Sequence, residues 1–318
     1  MIFVPVRTST LKPDVHLTFE VYVKIQDRYV LYIRKGDDLR LQRLENLKKQ
    51  KVRQIFIPAE QETDYQNFLD GFLIDAANNV MMSASQKSEV INGYATQATE
   101  EIYKDPTSKK SFNKAQKTAK GIIDIVAKNE DVLKHLVKAN VADGSENKSE
   151  LLIRHSVNVA TIAARFGETL KLPQKDLENF GICGIFHDLG LTKLPPRALE
   201  LLYIPDIEFT ADDTAIYKKH PEAASSLLQD KDFVSKEVLQ YIKHHEEKKS
   251  GNGFPQGLKK LTPTEEIFNL CCLYSRQVMC LKIPPSTVLK NLMIDEVGNF
   301  ELDLLQKFKA FLVKEGLI

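Results

Sequence analysis

Five of the seven histidines fall between His155 and His245, in an ordered series: His155, the adjacent pair His187-Asp188, His220, and the adjacent pair His244-His245. Any fold this chain adopts has to satisfy those rings, because a buried polar group needs a partner. Taken singly, each histidine reads as an ordinary polar residue. Taken together they read as a metal site, since one ion partners several imidazoles at once through neutral ring nitrogens. His187-Asp188 closes the apolar run Ile182, Cys183, Gly184, Ile185, Phe186, and His244-His245 follows Leu239, Tyr241 and Ile242. Five histidines and one aspartate exceed what a tetrahedral zinc requires. They are about what two neighbouring ions need when a bridging water completes the shells. Metal pairs about 3.5–4 Å apart hydrolyse phosphate esters.

Bulk properties exclude little. The chain has 318 residues, 43% hydrophobic and 27% charged, with a net charge of +1. Totals of this kind make no electrostatic case for a nucleic-acid polymer or an anionic membrane. Cys183, Cys271, Cys272 and Cys280 form no CxxC pair, so reduced thiols in a cytoplasmic protein are expected. The first residues lack a basic region followed by an apolar stretch, so no signal peptide is expected. No run of about 18 apolar residues suggests a membrane span.

The predicted fold class is mainly α: a small N-terminal α+β module, then an all-α helical bundle. Residues 1–60 form the module, with strands near 19–25, 29–33 and 52–57 and a helix over 39–50. His16 there stands alone. Residues 61–145 read as a helical connector. Its first helix, 62–103, would carry an apolar stripe of Phe68, Phe72, Ile74, Ala77, Val80 and Met81. Such a helix could join domains or support a homodimer. Further helices are expected over 111–127 and 129–141, and a loop over 143–149. Residues 146–318 form the histidine-bearing domain. Thr210 reads as an N-cap with acidic residues behind it, which would put His220 about three turns into that helix. Further helices are expected over 236–245, 265–281 and 302–313.

Once these residues are in order, the region from about 150 to 280 resembles an HD-GYP domain, a subgroup of the HD phosphohydrolases. The opening family histidine resembles His155, and the HD signature with its following proline resembles His187-Asp188-Leu189-Gly190-Leu191 and Pro195. The isolated His-Pro resembles His220-Pro221, HHE resembles His244-His245-Glu246, and the GYP loop resembles Gly253-Phe254-Pro255. The resemblance implies a core of five to seven helices, two or three metal ions, often iron, and hydrolysis of cyclic di-GMP. The implied metal ligands are His155, His187, Asp188, His220, His244 and His245. An alignment with a small deletion adds Cys272, where the family has aspartate. Cysteine can ligate iron or zinc as thiolate, or Cys272 can be a small buried residue.

Departures from the family pattern bear on the substrate. Phe254 replaces the GYP tyrosine, and Leu191 stands where a lysine normally follows HDxG; Lys193 comes two residues later. Leu151 occupies the position of the glutamate in members with a third metal, and Glu150 is one residue off. Ser250 replaces the aspartate before the GYP glycines.

Two functions follow. One is a divergent phosphodiesterase of cyclic di-GMP signalling, with Asp188 bridging two metals, most simply iron or else manganese, around a hydroxide, Lys193 as a candidate catalytic cation, and slow turnover. Removing one charge-stabilising donor costs about 10²–10³-fold in rate. The other is a catalytically degenerate sensor of a cyclic dinucleotide, or a scaffold for a signalling partner, with a structural metal site. A hydrolase of another phosphorylated nucleotide is a third, weaker reading.

Overall fold

The computed structural model describes residues 1–129, 131–142 and 147–318, and the chain divides into two compact units, Met1–Gln97 and Ala98–Ile318. The division falls inside the stretch expected to be a separate connector.

The first unit contains β1 (Phe3–Arg7), β2 (Val15–His16), β3 (Val21–Ile25), β4 (Arg28–Ile33), β5 (Asp38–Leu39), α1 (Leu41–Lys49), β6 (Gln54–Pro58) and α2 (Glu62–Asn78). Four strands pair antiparallel in the order β1-β6-β3-β4, and β2 pairs with β5. Alternation places Val21, Ile33, Ile55 and Ile57 in the core, as period-two side chains require. His16 is exposed, 3.2 Å from Asp38.

One long helix was expected over 62–103. The chain instead breaks after α2 and restarts as α3 (Ala84–Lys104), which runs across the division between the units. The buried face of α2 is Tyr65, Leu69, Leu73 and Ala76, not the predicted stripe; Ile74, Val80 and Met81 are exposed. Steps of four, four and three keep one phase of the helix, which the predicted set did not.

The second unit is helical: α4 (Lys109–Lys128), α5 (Val132–Ala142), α6 (Lys148–Thr169), α7 (Gln174–Phe186), α8 (Pro196–Leu201), α9 (Ala211–Tyr217), α10 (His220–Ser226), α11 (Lys236–His244), α12 (Pro263–Ser275), α13 (Pro285–Asp295) and α14 (Leu302–Lys314). Every residue of α6 from Leu152 to Gly167 is buried, so α6 is a central helix rather than an amphipathic surface one. Aromatic contacts tie others to it and to one another. Phe166 of α6 lies 5.0 Å from both Phe308 and Phe311 of α14, and Phe180 of α7 lies 5.8 Å from Phe268 of α12.

Polar residues on a helix buried all round must find partners. Ser156 and Thr161 donate to the carbonyls of Leu152 and Val157 at 3.0 and 2.8 Å. Arg165 donates to Glu315 at 3.0 Å. His155 turns toward the functional centre.

Three further expectations change in detail. Of the loop expected over 143–149, residues 143–146 lie outside the described residues; Asn147 caps α6, accepting from the backbone N–H of Ser149 and Glu150, and Lys148 and Ser149 are already helical. Thr210 and Asp213 form the expected capping box, but α9 ends at Tyr217 and His220 opens a new helix. Pro221 lacks an N–H and suits a first turn, not a helix interior. The helix expected over 265–281 is α12 followed by a π-helical turn, Arg276–Cys280.

Candidate metal centre

Four imidazoles and one carboxylate meet where the middle of α6 faces the C-terminal ends of α7 and α11 and the start of α10. Asp188 stands at the middle. Its Oδ2 lies 3.4 Å from His155 Nε2 and 3.2 Å from His187 Nε2. Its Oδ1 lies 3.2 Å from His220 Nε2 and 3.6 Å from His245 Nε2. Two buried groups result, His155–His187–Asp188 and Asp188–His220–His245, each compact enough for one ion and both sharing the carboxylate.

The local chain aims three of the rings. Nδ1–H of His187 donates to the Gly184 carbonyl at 2.9 Å, that of His220 to Tyr217 at 2.7 Å, and that of His245 to Ile242 at 2.7 Å. In each case the acceptor lies three residues earlier, at a helix end. A carbonyl only accepts, so the proton sits on Nδ1 and the Nε2 lone pair points at the centre. His155 lies mid-helix, and its Nδ1 pairs with Ser275 Oγ of α12 at 3.0 Å.

These residues fit metal ions. His155 and His187 bring their Nε2 atoms to 3.2 Å, and His220 and His245 bring theirs to 3.0 Å. Two lone pairs that close repel unless a cation lies between them. Asp188 Oδ2 is buried with no hydrogen-bond partner, a costly state that a cation relieves. Burial pushes the Asp188 carboxyl up, but His187, His155 and His220 outweigh it and hold the group well below its ordinary range. Burial also pushes His155 down, toward the neutral ligand form. His245 is raised instead: Asp188 and Glu246 overcome its burial.

Other residues singled out from the sequence belong to neither group. His244 belongs to neither group; its Nδ1 pairs with Glu265 Oε1 at 2.7 Å. Neighbouring residues on a helix point about 100° apart, so the adjacent pair does not face one centre. Cys272 lines a small cavity with His155, His187, Asp188, His245, Glu246 and Arg276, but belongs to neither group. Burial, then Cys271 and Asp188, pushes its thiol well above the ordinary value. Lys193 is exposed after the 3-10 turn Leu189–Thr192, outside that cavity's lining. Leu191 is buried in an apolar cluster with Leu201, Leu202 and Tyr217. Glu150 pairs with Arg154 at 3.1 Å, and Ser250 bonds Asn299 at 2.6 Å.

Two glycines are set by close approach. A Cβ on Gly190 would lie 2.0 Å from the His220 carbonyl oxygen, so only glycine lets the turn after Asp188 touch α10. A Cβ on Gly253 would lie 2.3 Å from Lys248 N and 2.4 Å from Glu247 Cα. That contact seats Phe254, whose ring lies 5.9 Å from that of His220. Pro255 follows, and the loop's next amides, Gln256, Gly257 and Leu258, donate to the buried Glu247 carboxylate at 2.5, 3.1 and 2.8 Å.

Several contributors went unread in the sequence. Glu246, visible only as the last letter of HHE, lies 3.9 Å from His220 Nε2. Glu247, Ser275 and Tyr217 carry no local signal. Arg276 is a buried cation whose guanidinium donates to Leu202, Ile204 and Asp206 at 3.3, 3.1 and 2.6 Å.

Comparisons with known proteins agree with this geometry. A model of the HD domain family matches residues 141–264. A solved structure, Bd1817, described as an HDG"Y"P protein from Bdellovibrio bacteriovorus, superposes with a TM-score of 0.77 at 27% identity, covering 98% of this chain and all of that one. Cyclic di-GMP phosphodiesterase PA4108 of Pseudomonas aeruginosa is 27% identical over 133 residues, 42% of this chain and 30% of that protein's length. The match thus spans under a third of that relative. Fold and site together define an HD-domain protein with a helical histidine–aspartate centre. Within that class, the chain is similar to HD-GYP proteins, with Phe254 where the signature has tyrosine.

Proposed function

We propose that this chain is a metal-dependent phosphodiesterase of cyclic di-GMP signalling that holds two metal ions, iron or alternatively manganese. The observation that carries this reading is Asp188, whose two oxygens each face their own histidine pair. A mixed nitrogen and oxygen donor set suits iron or manganese. Metal ions bound there supply Lewis acidity toward water and toward phosphate oxygens. His155 and His187 would hold one ion, His220 and His245 the other, and Asp188 would join them. The Gly184, Tyr217 and Ile242 carbonyls and Ser275 keep the rings oriented. The small cavity beside the pair has Arg276 and Glu246 in its wall. The activity is expected to be slow, because Leu191 and Phe254 remove polar groups from the substrate side.

One observation favours a second reading. Leu191 is packed in the core where the family signature has a lysine, so a sensor that binds a cyclic dinucleotide without cleaving it is the alternative. The Met1–Gln97 unit would serve as an accessory module toward a signalling partner or a second copy. A cytoplasmic location is part of this proposal; among the described residues no helix is long and apolar enough to cross a membrane.

The test is elemental analysis of the purified chain followed by cyclic di-GMP turnover. About two irons or manganese per chain, with hydrolysis abolished by Asp188→Ala, supports the enzyme. Tight binding without hydrolysis, whatever the metal, supports the sensor.

A further inference from the structure

The buried ring of His220 has two aromatic neighbours. Phe254 lies 5.9 Å away on the loop, and Tyr217 lies 4.6 Å away at the end of α9. The two neighbours are themselves 6.0 Å apart. The loop ring carries no polar atom; the helix ring carries a hydroxyl. That hydroxyl reaches Glu246 Oε1 at 3.4 Å, and the same oxygen lies 3.9 Å from His220 Nε2. Glu246 in turn lines the cavity shared with His155, His187, Asp188 and His245. A phenolic group therefore stands beside the His220–His245 half of the centre, presented by a different element from the loop.

From this geometry we infer that Tyr217 is a substrate-positioning residue, whose hydroxyl supplies from α9 the hydrogen-bond donor that Phe254 lacks. The inference rests on reading the centre as one that binds a phosphate ester.

Three features suit Tyr217 to that role. First, its ring is fixed. The Arg276 guanidinium lies 5.1 Å over it, and Phe209 packs edge-on at 5.4 Å, in addition to the contacts with His220 and Phe254. A ring clamped in this way leaves only the hydroxyl proton free to turn, so little entropy is lost when it donates. Second, its contact with Glu246 is long for an O–H···O bond, whose usual range is about 2.5–3.0 Å. A loose bond of this kind is readily exchanged for a shorter one. Third, Tyr217 is tied to His220 through the backbone as well. Its carbonyl accepts the Nδ1 proton of His220 at 2.7 Å, so one residue both orients the imidazole and places a donor beside it.

The alternative role is packing: Tyr217 belongs to the apolar cluster of Leu191, Leu201 and Leu202, and a ring without the hydroxyl would fill the same space. Tyr217→Phe separates the two roles, because it keeps the ring and removes only the oxygen.

The experiment uses the full chain loaded with iron or manganese: wild type, Tyr217→Phe, Phe254→Tyr and the double variant. Inorganic phosphate affinity is measured by calorimetric titration, with metal content and melting temperature alongside, and kcat and KM for cyclic di-GMP are measured separately. Tyr217→Phe is expected to keep its metal and melting temperature, to weaken phosphate binding by about ten-fold, as loss of one hydrogen bond to a charged group does, and to lower kcat more than it raises KM. The double variant, with the hydroxyl moved to the loop, is expected to recover most of that loss. Unchanged phosphate affinity in Tyr217→Phe overturns the inference, as does a double variant no better than Tyr217→Phe. Absence of cyclic di-GMP turnover in the wild type would defeat the phosphodiesterase reading instead, and the phosphate titration would still decide the role of Tyr217.

Discussion

His220 and His245 face each other with 3.0 Å between their Nε2 atoms, while both Nδ1 protons are held by backbone carbonyls. Neither ring can turn its proton inward without giving up that bond. The pair is therefore built for a cation, and the same holds for His155 and His187 around the other oxygen of Asp188.

Metal loading is accordingly expected to stabilise the fold. An ion at about 100 times its dissociation constant adds about 2.7 kcal/mol by mass action. Scanning calorimetry of chelated and reloaded protein should show a clear rise in melting temperature on loading. Asp188→Ala should abolish that rise, since both groups share this carboxylate; a full-sized rise in that variant would remove Asp188 from its central role.

Histidine variants should divide into two kinds. His187→Ala and His245→Ala are each expected to lose about one metal ion per chain by elemental analysis. His244→Ala should retain both ions and lose about 0.5–1.5 kcal/mol in a urea titration, because it removes one of several donors to the buried Glu265 carboxylate.

Acid should act through Glu265. Burial alone would raise this carboxyl, but donors on His244, Thr262 and Gln240 outweigh it and hold the group at about 2. A group held below its ordinary value contributes its full stabilisation above that value and loses it as pH falls toward the folded one. The window here runs from pH 4.5 down to about 2. Melting temperature should fall less steeply across that window in Glu265→Gln than in the wild type.

Restoring the family lysine should not restore its chemistry. Leu191 is 1% exposed inside an apolar cluster, so Leu191→Lys buries an unpaired ammonium and is expected to cost several kcal/mol. Lys193→Ala, at an exposed position, should change stability by no more than about 0.5 kcal/mol and leave turnover near the wild-type rate. A large loss of turnover in that variant would bring Lys193 back into the catalytic machinery.

Glu247→Ala removes the acceptor for three loop amides. A loss of about 1–3 kcal/mol for the orphaned donors and faster amide hydrogen exchange over residues 256–258 are the expected results. Unchanged exchange there would mean that the loop is held by its other contacts.

Much of the centre was legible in the sequence because its parts are local. His187-Asp188, His220-Pro221 and His245 each sit at a helix end, and each histidine finds its acceptor three residues back along its own chain. The capping box at Thr210 and the apolar run leading up to His187 are likewise properties of short stretches. Helical periodicity was enough to indicate a mainly helical chain behind a small stranded module, and the ordered His and Asp residues were enough to indicate a metal centre.

Tertiary structure decided what depends on distance and direction. Adjacency made His244 and His245 look equivalent, yet a rotation of about 100° per residue sends one to Glu265 and the other to Asp188. His155, alone in mid-helix, takes its orienting partner Ser275 from 120 residues away. Lys193 and Leu191 differ by two positions in the chain, yet one is exposed and the other buried. Tyr217 and Phe254, Glu247 and its loop amides, and Arg276 and its carbonyl acceptors meet only once the helices have packed. No periodicity records such meetings, because each is set by the path of the chain between elements rather than within one. The residue types determined that metal-ligating side chains would have to be partnered; the packing of α6, α7, α10, α11 and α12 determined which of them meet around Asp188.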